Sequence, residues 1–409
     1  MPYDAGSLAC GTGTEEGERS HFMAKKIVIL GSTGSIGRSA LSVAQSLGGE
    51  FEIVGLAAGS RWEALAEQVE QFRPQAVAMS DVSACEKLAD RLRAGGGRTR
   101  VLAGASGLVR LVEETDCDFV LSAIVGVAGL SATLAAVQRG LTIGLANKES
   151  LVVAGELMIS AAARSGSKLL PVDSEHSAIY QSLHSGQHDE IERILLTASG
   201  GPFRTWSQDR MREATLRDAL RHPTWDMGPK ITIDSATMMN KALEVVEAHW
   251  LFKVDPDRIE VVIHPESIIH SMVAFRDGSI VAQMGSPDMR TPIQYAMTYP
   301  RRLSGGAARV DFSRLERMTF EPPDPHRFPA LRLGHSVARQ GGTAGAALNA
   351  ANEAAVAAFR EGKIGFLDIV PRVEEVLSRH PYEARPTLDT LMRVDAWARQ
   401  EVLQCSAVS

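Results

Sequence analysis

The sequence of 409 residues is 44% hydrophobic and 22% charged, a composition typical of a globular protein with two or three domains. Its formal net charge of −6 gives no overall attraction to nucleic acid or to an anionic membrane, and no apolar run approaches the ~20 residues of a membrane span. The four scattered cysteines form no C-x-x-C pair, which argues against disulfides and a thiolate metal site and fits a reducing cytoplasm.

The first half of the chain predicts an α/β protein whose N-terminal domain has a Rossmann-like, doubly wound parallel sheet. Residues 1–23 are acidic, lack the features of a signal peptide and are expected to be a disordered extension. Over residues 24–163, short apolar runs alternate with helical segments, as such a sheet requires. The predicted strands are Ile27–Leu30, Phe51–Ala57, Ala76–Met79, Thr99–Leu102, Phe119–Ala123, Leu141–Leu145 and Lys168–Val172.

The rest of the chain predicts a smaller mixed sheet followed by helices. Residues 164–298 are expected to form a central α+β catalytic domain, and residues 299–329, rich in Pro, Arg and Gly, a linker. Residues 330–409 predict a C-terminal α-helical bundle, because Ala-rich helical patterns are joined there by short turns. The expected elements are strands Ile191–Thr197, Ile259–Ile263, Ser271–Phe275 and Ile280–Met284, and helices Ala330–Arg339, Thr343–Glu361, Phe366–His380 and Thr387–Ala407.

A glycine-rich loop, Gly31–Gly37, follows the first predicted strand and opens a helix. Glycines permit a tight turn and a close backbone approach to a pyrophosphate, and the helix N-terminus supplies N–H donors. The loop therefore favours nucleotide binding over an ordinary turn. After the second strand, where NAD-binding proteins carry an acid, Ser60 and Arg61 favour the 2′-phosphate of NADPH. The alternative is that Arg61 is a solvated helix start, and the nearby Glu63 weighs against a phosphate.

Polar side chains follow two later strands, at the sheet edge where open α/β sheets bind their ligands. Ala146–Glu149 offers a lysine for a substrate and an amide and an acid for the cofactor, although Lys-Glu pairs are also common on surfaces. Asp173 and Glu175 suit a hard cation such as Mg²⁺ or Mn²⁺, with Glu244 as a third ligand. The alternative is a helix N-cap followed by a first-turn acid. We expect His176 to support this helix rather than to bind the metal.

Four polar side chains lie within ten residues: Ser235, Asn240, Lys241 and Glu244. A helix from about Ala236 would place Asn240 and Glu244 on one face with Lys241 beside them. A hydroxyl, an amide, an ammonium and a carboxylate together suit a small, phosphorylated, oxygen-rich ligand.

Two further segments suit a phosphorylated substrate. Ser199 stands in a Gly-rich turn after a strand, from which its hydroxyl would donate to a phosphate. In the loop 222–230, Trp225 and Met227 lie between Pro and Gly hinges, as expected for a lid that covers a ligand and excludes water. The alternative is that Trp225 is buried and anchors the loop. Met289 is expected in a structural turn into a helix, with its side chain available to a pocket wall.

Taken together, these segments resemble the 1-deoxy-D-xylulose 5-phosphate reductoisomerase family. The resemblance covers about residues 24–398, and its most specific part is the run Asp-Ser-Ala-Thr-Met-Met-Asn-Lys with the glutamate that follows it. The matching segments, in order, are Gly31–Gly37, Ala146–Ser150, Val172–His176, Ala198–Phe203, His222–Gly228, Asp234–Glu244 and Met284–Ile293.

The resemblance implies a cytoplasmic homodimer that uses NADPH and a divalent metal ion (Mg²⁺, Mn²⁺ or Co²⁺). The net charge predicts no nucleic-acid or membrane partner. The resemblance also implies conversion of 1-deoxy-D-xylulose 5-phosphate to 2-C-methyl-D-erythritol 4-phosphate by skeletal rearrangement and hydride transfer, in the non-mevalonate (MEP) route to isoprenoid precursors. Asp173, Glu175 and Glu244 would bind the metal, with Lys148 and His222 also catalytic. The implied substrate contacts are Lys148, Ser174, Glu175, Ser199, His222, Trp225, Met227, Ser235, Asn240, Lys241, Glu244 and Met289. The implied cofactor contacts are Thr33, Gly34, Ser35, Ile36, Gly59, Ser60, Arg61, Asn147, Glu149 and Gly228.

One departure and two alternatives stand beside this interpretation. Many family members carry Asn at the position of Arg61, so the contacts to the 2′-phosphate have the least support. An NADP-dependent semialdehyde or homoserine dehydrogenase shares the N-terminal features, although neither Cys85 nor Cys117 stands in a convincing nucleophile site. A non-catalytic dinucleotide sensor would leave Asp173, Glu175 and Glu244 without a purpose.

Overall fold

The computed structural model describes residues 24–404, so the disorder expected for residues 1–23 lies outside the described residues. Seven strands form the first sheet: β1 (Lys25–Leu30), β2 (Phe51–Ala58), β3 (Ala76–Met79), β4 (Arg100–Ala103), β5 (Phe119–Ser122), β6 (Thr142–Leu145) and β7 (Leu169–Pro171). All pairs are parallel, in the order β4-β3-β2-β1-β5-β6-β7. Because β7 belongs to this sheet, the sheet continues past residue 163, where we expected the first domain to end.

Helices cover both faces of the first sheet, which confirms the predicted doubly wound α/β class. Along β1, Val28 and Leu30 enter one apolar cluster and Ile27 and Ile29 the other, as the alternation of side chains in a strand requires. The helices that follow the strands are α1 (Ser35–Ser46), α2 (Trp62–Phe72), α3 (Val82–Ala94), α4 (Gly104–Glu114), α5 (Leu130–Gln138) and α6 (Glu149–Ser165).

The second sheet has four strands, β8 (Ile191–Ala198), β9 (Ile259–Ile263), β10 (Ile269–Phe275) and β11 (Ile280–Met284). Their order is β11-β10-β8-β9, with β8 parallel to β9 and the other pairs antiparallel, as expected for an α+β region. The helices of this part of the chain are α7 (Ser174–Ser182), α8 (Gln208–Arg212), α9 (Leu216–Ala219), α10 (Pro229–Ala236), α11 (Met239–Phe252) and α12 (Arg290–Thr298). Helix α12 packs against α1 and belongs to the core of the first sheet.

Helix α11 runs through the middle of the molecule, and its apolar side chains belong to the largest core. The helix that we expected from about Ala236 begins instead at Met239, because the chain breaks between α10 and α11. Met238 adopts a left-handed φ of 61°, and Thr237 ends α10. The Thr237 hydroxyl bonds to the backbone oxygens of Ile233 and Asp234, which satisfies carbonyls at the end of α10.

The C-terminal helices are α13 (Ala330–Gln340), α14 (Ala344–Arg360), α15 (Ile369–Arg379) and α16 (Leu388–Gln404), close to the predicted positions. These helices do not form a separate domain with its own core, because α13 and α14 pack against α11 and α6 and share the largest core with them. A Cβ on Gly334 would lie 2.5 Å from the Ala242 carbonyl oxygen, which shows how closely α13 approaches α11. Among the described residues, no helix is long and apolar enough to cross a membrane.

Candidate active site

The carboxyl ends of the neighbouring strands β6 and β7 carry the first charged groups of the site. Lys148 follows β6 and directly precedes α6, whereas Asp173 follows β7 and caps α7. The Glu175 backbone N–H donates to Asp173 Oδ1 at 3.3 Å, so the N-cap alternative is correct as local structure. This capping bond does not exclude a metal site, because the other carboxylate oxygen of Asp173, Oδ2, faces Lys148 instead.

The Lys148 ammonium lies at the centre of a buried polar cluster. It is 2.7 Å from Asp173 Oδ2, and it donates to Glu244 Oε1 and to Asn240 Oδ1, each at 2.9 Å. Burial disfavours the charged form of Lys148, but the Asp173, Glu244 and Glu247 carboxylates together outweigh that effect and hold its pKa well above the ordinary value. The side chain is therefore a fixed positive charge where several acids converge.

Helix α11 presents Asn240, Lys241 and Glu244 on the face that meets α7. The Asn240 amide donates to Glu244 Oε1 at 2.6 Å, as expected for i and i+4 positions. Lys241 bonds to the other Glu244 oxygen and to Glu175 Oε1 at 2.9 Å. Every oxygen of Glu244 thus has a partner, although the side chain is almost completely buried.

Burial makes the ionisation of Glu175 sensitive to its neighbours. Desolvation is the main cause that raises its pKa, to about 7; the Lys241 ammonium lowers it, while Glu244 and Asp173 raise it further. Asp173 behaves differently: burial is the largest single effect and raises its pKa, but the Lys148 charge and the contact with His176 together hold that pKa well below the ordinary value. A group of carboxylates crowded in this way favours a cation, which compensates their mutual repulsion.

The donor set of the site fits a hard divalent cation. Among residues 24–404, Asp173, His176 and Glu244 offer one ligand atom each within 4.8 Å of one another. The structure thus brings two of the three expected ligands together. The third, Glu175, lies next to them but is bonded to Lys241 and to the Ser174 hydroxyl, the latter at 2.6 Å. In this structure the Lys148 and Lys241 ammonium groups contact the carboxylate oxygens that would bind a cation.

Ser199 and His222 meet on the side of the second sheet. The backbone N–H groups of Thr224 and Trp225 donate to His222 Nδ1 at 3.2 and 2.9 Å, so the ring proton lies on Nε2. His222 Nε2 therefore donates to Ser199 Oγ at 3.0 Å. Burial lowers the pKa of His222 to about 4, which keeps the ring neutral at physiological pH.

The predicted phosphate-binding residues fall into two groups in this structure. Ser235 lies beside the Ser199 turn, because a Cβ on Gly201 would be 2.5 Å from the Ser235 carbonyl oxygen. Asn240 and Lys241, by contrast, bond to the carboxylates described above. Ser199 and Ser235 thus lie at the turn after β8, whereas Asn240 and Lys241 lie among the carboxylates.

The segment 222–230 covers the region near His270 of the second sheet. The rings of Trp225 and His270 are 6.3 Å apart, and Thr224 donates to the Pro265 carbonyl at 3.4 Å. Gly228 caps α10, which starts with a proline as helix N-termini favour. Met289 packs instead, partly buried, against the core of the first sheet, just before α12.

The glycine-rich loop has the geometry of a nucleotide-binding turn. Gly31 has a φ of 89°, and a Cβ there would lie 2.5 Å from the Ala123 carbonyl oxygen. A Cβ on Gly37 would overlap the backbone of Gly31, so α1 packs directly on the turn. Gly34 caps α1 without a side chain, which leaves the first N–H groups of the helix available. The predicted contacts Thr33, Ser35 and Ile36 lie in this turn and the first turn of α1.

The other predicted cofactor residues lie at the same edge of the sheet. Asn147 donates from Nδ2 to the Gly126 carbonyl at 3.0 Å, and Glu149 lies 3.3 Å from Lys230, the last residue of the segment 222–230. Ser60 and Arg61 are exposed after β2, together with Gly59. Arg61 caps α2, as its alternative interpretation held, and its guanidinium remains accessible to a ligand.

Comparison with known proteins decides the family. Residues 27–155 match the family model of 1-deoxy-D-xylulose 5-phosphate reductoisomerase, residues 169–252 the C-terminal domain of that enzyme, and residues 284–401 a model described as DXP reductoisomerase C-terminal domain. A reductoisomerase of Heliobacterium modesticaldum is 51% identical over 378 residues, covering 92% of this chain and 96% of the relative. One of Chlorobium chlorochromatii is 52% identical over 375 residues, covering 92% and 98%. The chain belongs to the 1-deoxy-D-xylulose 5-phosphate reductoisomerase family.

Solved structures of reductoisomerases have the same fold. The Zymomonas mobilis enzyme in complex with NADPH is 44% identical, with a TM-score of 0.87 over 93% of this chain and 98% of that chain. A DOX-P reductoisomerase in complex with NADPH, fosmidomycin and magnesium is 39% identical, with a TM-score of 0.89 over the same shares of both chains. These comparisons confirm the predicted family, fold class and reductoisomerase activity in the MEP route, and they favour neither alternative.

The sequence interpretation did not single out Glu247, a carboxylate beside this site. It lies one turn beyond Glu244 on α11 and is fully buried. His176, for which we expected a supporting role, lies between α7 and α11, with its Nδ1 atom 3.4 Å from Glu247 Oε2. The spacing of Glu244 and Glu247 on one predicted helix was the available signal, because i and i+3 positions share a face.

Proposed function

We propose that this reductoisomerase uses NADPH and a divalent cation, Mg²⁺ or Mn²⁺, and that Asp173, Glu175 and Glu244 hold the cation. The observation that carries the proposal is the convergence of these buried and partly buried carboxylates from two helices, whose negative charge is compensated in this structure by Lys148 and Lys241. Oxygen ligands suit such an ion. When bound, the cation supplies Lewis-acid polarisation of the substrate carbonyl and adjacent oxygens.

Lys148 and Ser174 are the groups that would hold the reacting oxygens of 1-deoxy-D-xylulose 5-phosphate. The Lys148 ammonium has three donors, which it spends here on Asp173, Asn240 and Glu244. A substrate oxygen that replaces one of these acceptors meets a full positive charge in a site with little water. Such a fixed charge stabilises negative charge that develops on the oxygen during rearrangement and reduction.

The substrate phosphate would lie against the turn that carries Ser199. Neutral His222 presents its Nε2–H beside Ser199, and Ser235 borders the same turn. Lys241 and Asn240 would complete the site from α11 once the substrate draws them from the carboxylates. The segment 222–230 would then cover the substrate with Trp225 and Met227 and exclude water. Met289 would exclude water on the side of the substrate that faces the first sheet.

The cofactor would lie across the carboxyl edge of the first sheet. Its pyrophosphate suits the N-terminus of α1, and its 2′-phosphate suits Ser60 and Arg61. Asn147 and Glu149, between this loop and the lid segment, would place the nicotinamide end near the substrate. The full set of proposed contacts is Thr33, Gly34, Ser35, Ile36, Gly59, Ser60, Arg61, Asn147, Glu149 and Gly228.

A homodimer in the cytoplasm is the proposed state of the protein. Strand β11 is the outer strand of the second sheet, and it carries Ile280 with 54% of its surface exposed. An unpaired edge with an apolar side chain is a surface that a second copy would cover. Sedimentation of the purified protein tests this proposal, since a monomer at micromolar concentration would contradict it.

Removal of metal tests the proposed chemistry directly. We expect EDTA to abolish NADPH oxidation with 1-deoxy-D-xylulose 5-phosphate and Mg²⁺ or Mn²⁺ to restore it. Binding of NADPH, followed by its fluorescence, should survive the chelator because the cofactor loop contains no metal ligand. Turnover that is indifferent to chelation would contradict the three-carboxylate metal site.

A further inference from the structure

Glu247 is a buried carboxylate that none of the proposed steps uses. It has no exposed surface, and neither of its oxygens has a hydrogen-bond partner among the described residues. A carboxylate in such a place is costly unless another charge compensates it. The basic group that faces it is His176, whose Nδ1 lies 3.4 Å from Glu247 Oε2.

His176 is held between the two helices that carry the proposed metal ligands. It lies on α7, and its Nε2 is 3.0 Å from the backbone oxygen of Glu244 on α11. Since a carbonyl only accepts, Nε2 carries a proton and donates it. The ring also stacks on Phe252 of α11, with centroids 6.1 Å apart and planes at 18°. The ring orientation is thus fixed from the side of α11.

That orientation makes Nδ1 the atom that joins the ligands to Glu247. Nδ1 lies 3.4 Å from Asp173 Oδ1 and 3.4 Å from Glu247 Oε2, so two carboxylates face one ring atom. Glu247 itself is not among the groups whose ligand atoms converge within 4.8 Å. Among the described residues, the contact that links Glu247 to the proposed ligands therefore runs through His176.

We infer that Glu247 is a positioning residue for the metal site: through His176 it fixes Asp173 and the Glu244 backbone, and so raises metal affinity. The inference rests on the proposed metal ligands. The physical basis is that ligands move less when groups behind them are held, and loss of such support lowers metal affinity roughly 10- to 100-fold. Glu247 lies one turn beyond Glu244, so the two side chains lie on the same face of α11.

Mn²⁺ binding to the whole protein without substrate tests this role. In an EPR titration with Mn²⁺ alone, Glu247→Gln should raise the Kd for Mn²⁺ roughly 10- to 100-fold, because the amide keeps the size but not the charge. NADPH affinity should stay within about twofold, since metal support is local. His176→Asn should show a similar loss, and the double variant should lose little more, since both act through one contact chain.

Controls separate the possible outcomes. Asp395→Asn removes a buried acid on α16 that pairs with Arg399, and it should leave Mn²⁺ binding unchanged. If the wild type binds no Mn²⁺, the proposed metal site itself fails. If the wild type binds Mn²⁺ and a folded Glu247→Gln binds it equally well, only the positioning role is overturned. A loss as complete as in Glu244→Gln would also overturn it, because Glu247 would then be a ligand.

A shorter acid keeps the inference testable if Glu247→Gln fails to fold. Glu247→Asp retains the charge but withdraws it from His176, so we expect an intermediate rise in the Kd for Mn²⁺ and a broader EPR spectrum of the bound ion. Thermal unfolding of each variant measures stability separately. Wild-type Mn²⁺ affinity in Glu247→Asp together with lowered stability would mean a purely structural residue and would overturn the inference.

Discussion

The Lys148 ammonium lies 2.9 Å from Glu244 Oε1, although the two residues belong to different parts of the fold. Lys148 stands at the carboxyl edge of the first sheet, whereas Glu244 lies on the central helix α11. Their ion pair therefore joins the proposed cofactor domain to the proposed metal site. Because both side chains are buried, each depends on the other for compensation of its charge.

This pairing predicts how Lys148→Met behaves. The change removes the donor proposed for the reacting oxygens, so kcat should fall roughly 10²- to 10³-fold. It also leaves Asp173 and Glu244 without their ammonium, at a cost of about 3–5 kcal/mol in the free energy of unfolding. Steady-state kinetics and urea unfolding without metal measure the two effects.

Added Mn²⁺ provides the discriminating measurement for Lys148→Met. A divalent cation would replace the lost positive charge, so Mn²⁺ should raise the Tm of the variant more than that of the wild type. Lys363→Met, which breaks an exposed pair with Glu361, is the matched control and should behave as wild type. Equal Mn²⁺ shifts in Lys148→Met and wild type would contradict a shared cation site.

The neutral state of His222 predicts a pH-dependent stability. Its pKa is lowered to about 4 in the folded protein by burial, below the ordinary value of a histidine. As the pH falls from 7 towards 4, the unfolded state therefore takes up a proton first, and stability is lost over that window. In His222→Gln this contribution is absent, so the loss of stability between pH 7 and pH 5 should be smaller.

Urea unfolding at the two pH values measures this difference. His326→Gln, in an exposed segment, is the control and should retain the wild-type pH dependence. The expected sign is specific: the gap in unfolding free energy between pH 7 and pH 5 narrows in His222→Gln. A gap equal to that of the wild type would mean that His222 is as easily protonated in the folded protein as in the unfolded chain.

Most of the fold was predictable, because it depends on local patterns. Short apolar runs marked the strands of both sheets, and Ala-rich periodic segments marked the C-terminal helices close to their observed positions. The break at Thr237–Met238 was not predictable, since no Gly or Pro marks it. It depends on tertiary packing, which holds a methionine in a left-handed conformation.

The site was predictable as a set of residues but not as an arrangement. The acids after β7 and on α11 stood out by their spacing, and the family resemblance gave them roles. Lys148 lies between Asp173 and Glu244 because of contacts with residues 25 and 96 positions further along the chain, which no local pattern contains. Glu247 was missed because a glutamate on a helix normally indicates a solvated face, and its burial depends on packing from α7.

The exposed Arg61 predicts cofactor preference. Arg61→Gln should lower the ratio of kcat/KM for NADPH to that for NADH by roughly tenfold or more, because a hydrogen bond to a charged phosphate is worth about 1.5–3 kcal/mol. Turnover with NADH should change little. Arg93→Gln, an exposed arginine on α3, is the control. If the wild type uses NADH as well as NADPH, Arg61 is only the start of α2.

The contact of the C-terminal bundle with α6 predicts a strong effect of one methyl group. A Cβ on Gly345, in the first turn of α14, would overlap the Val152 carbonyl oxygen of α6, which is backbone and has little room to move. Gly345→Ala should therefore lower the free energy of unfolding by about 1–3 kcal/mol through overpacking. Gly48→Ala is the matched control, because a Cβ there would have its nearest neighbour at 3.9 Å. Since α6 begins directly after Lys148, Gly345→Ala should also reduce kcat. Equal stability and activity in Gly345→Ala and Gly48→Ala would show that the bundle and α6 are not tightly packed.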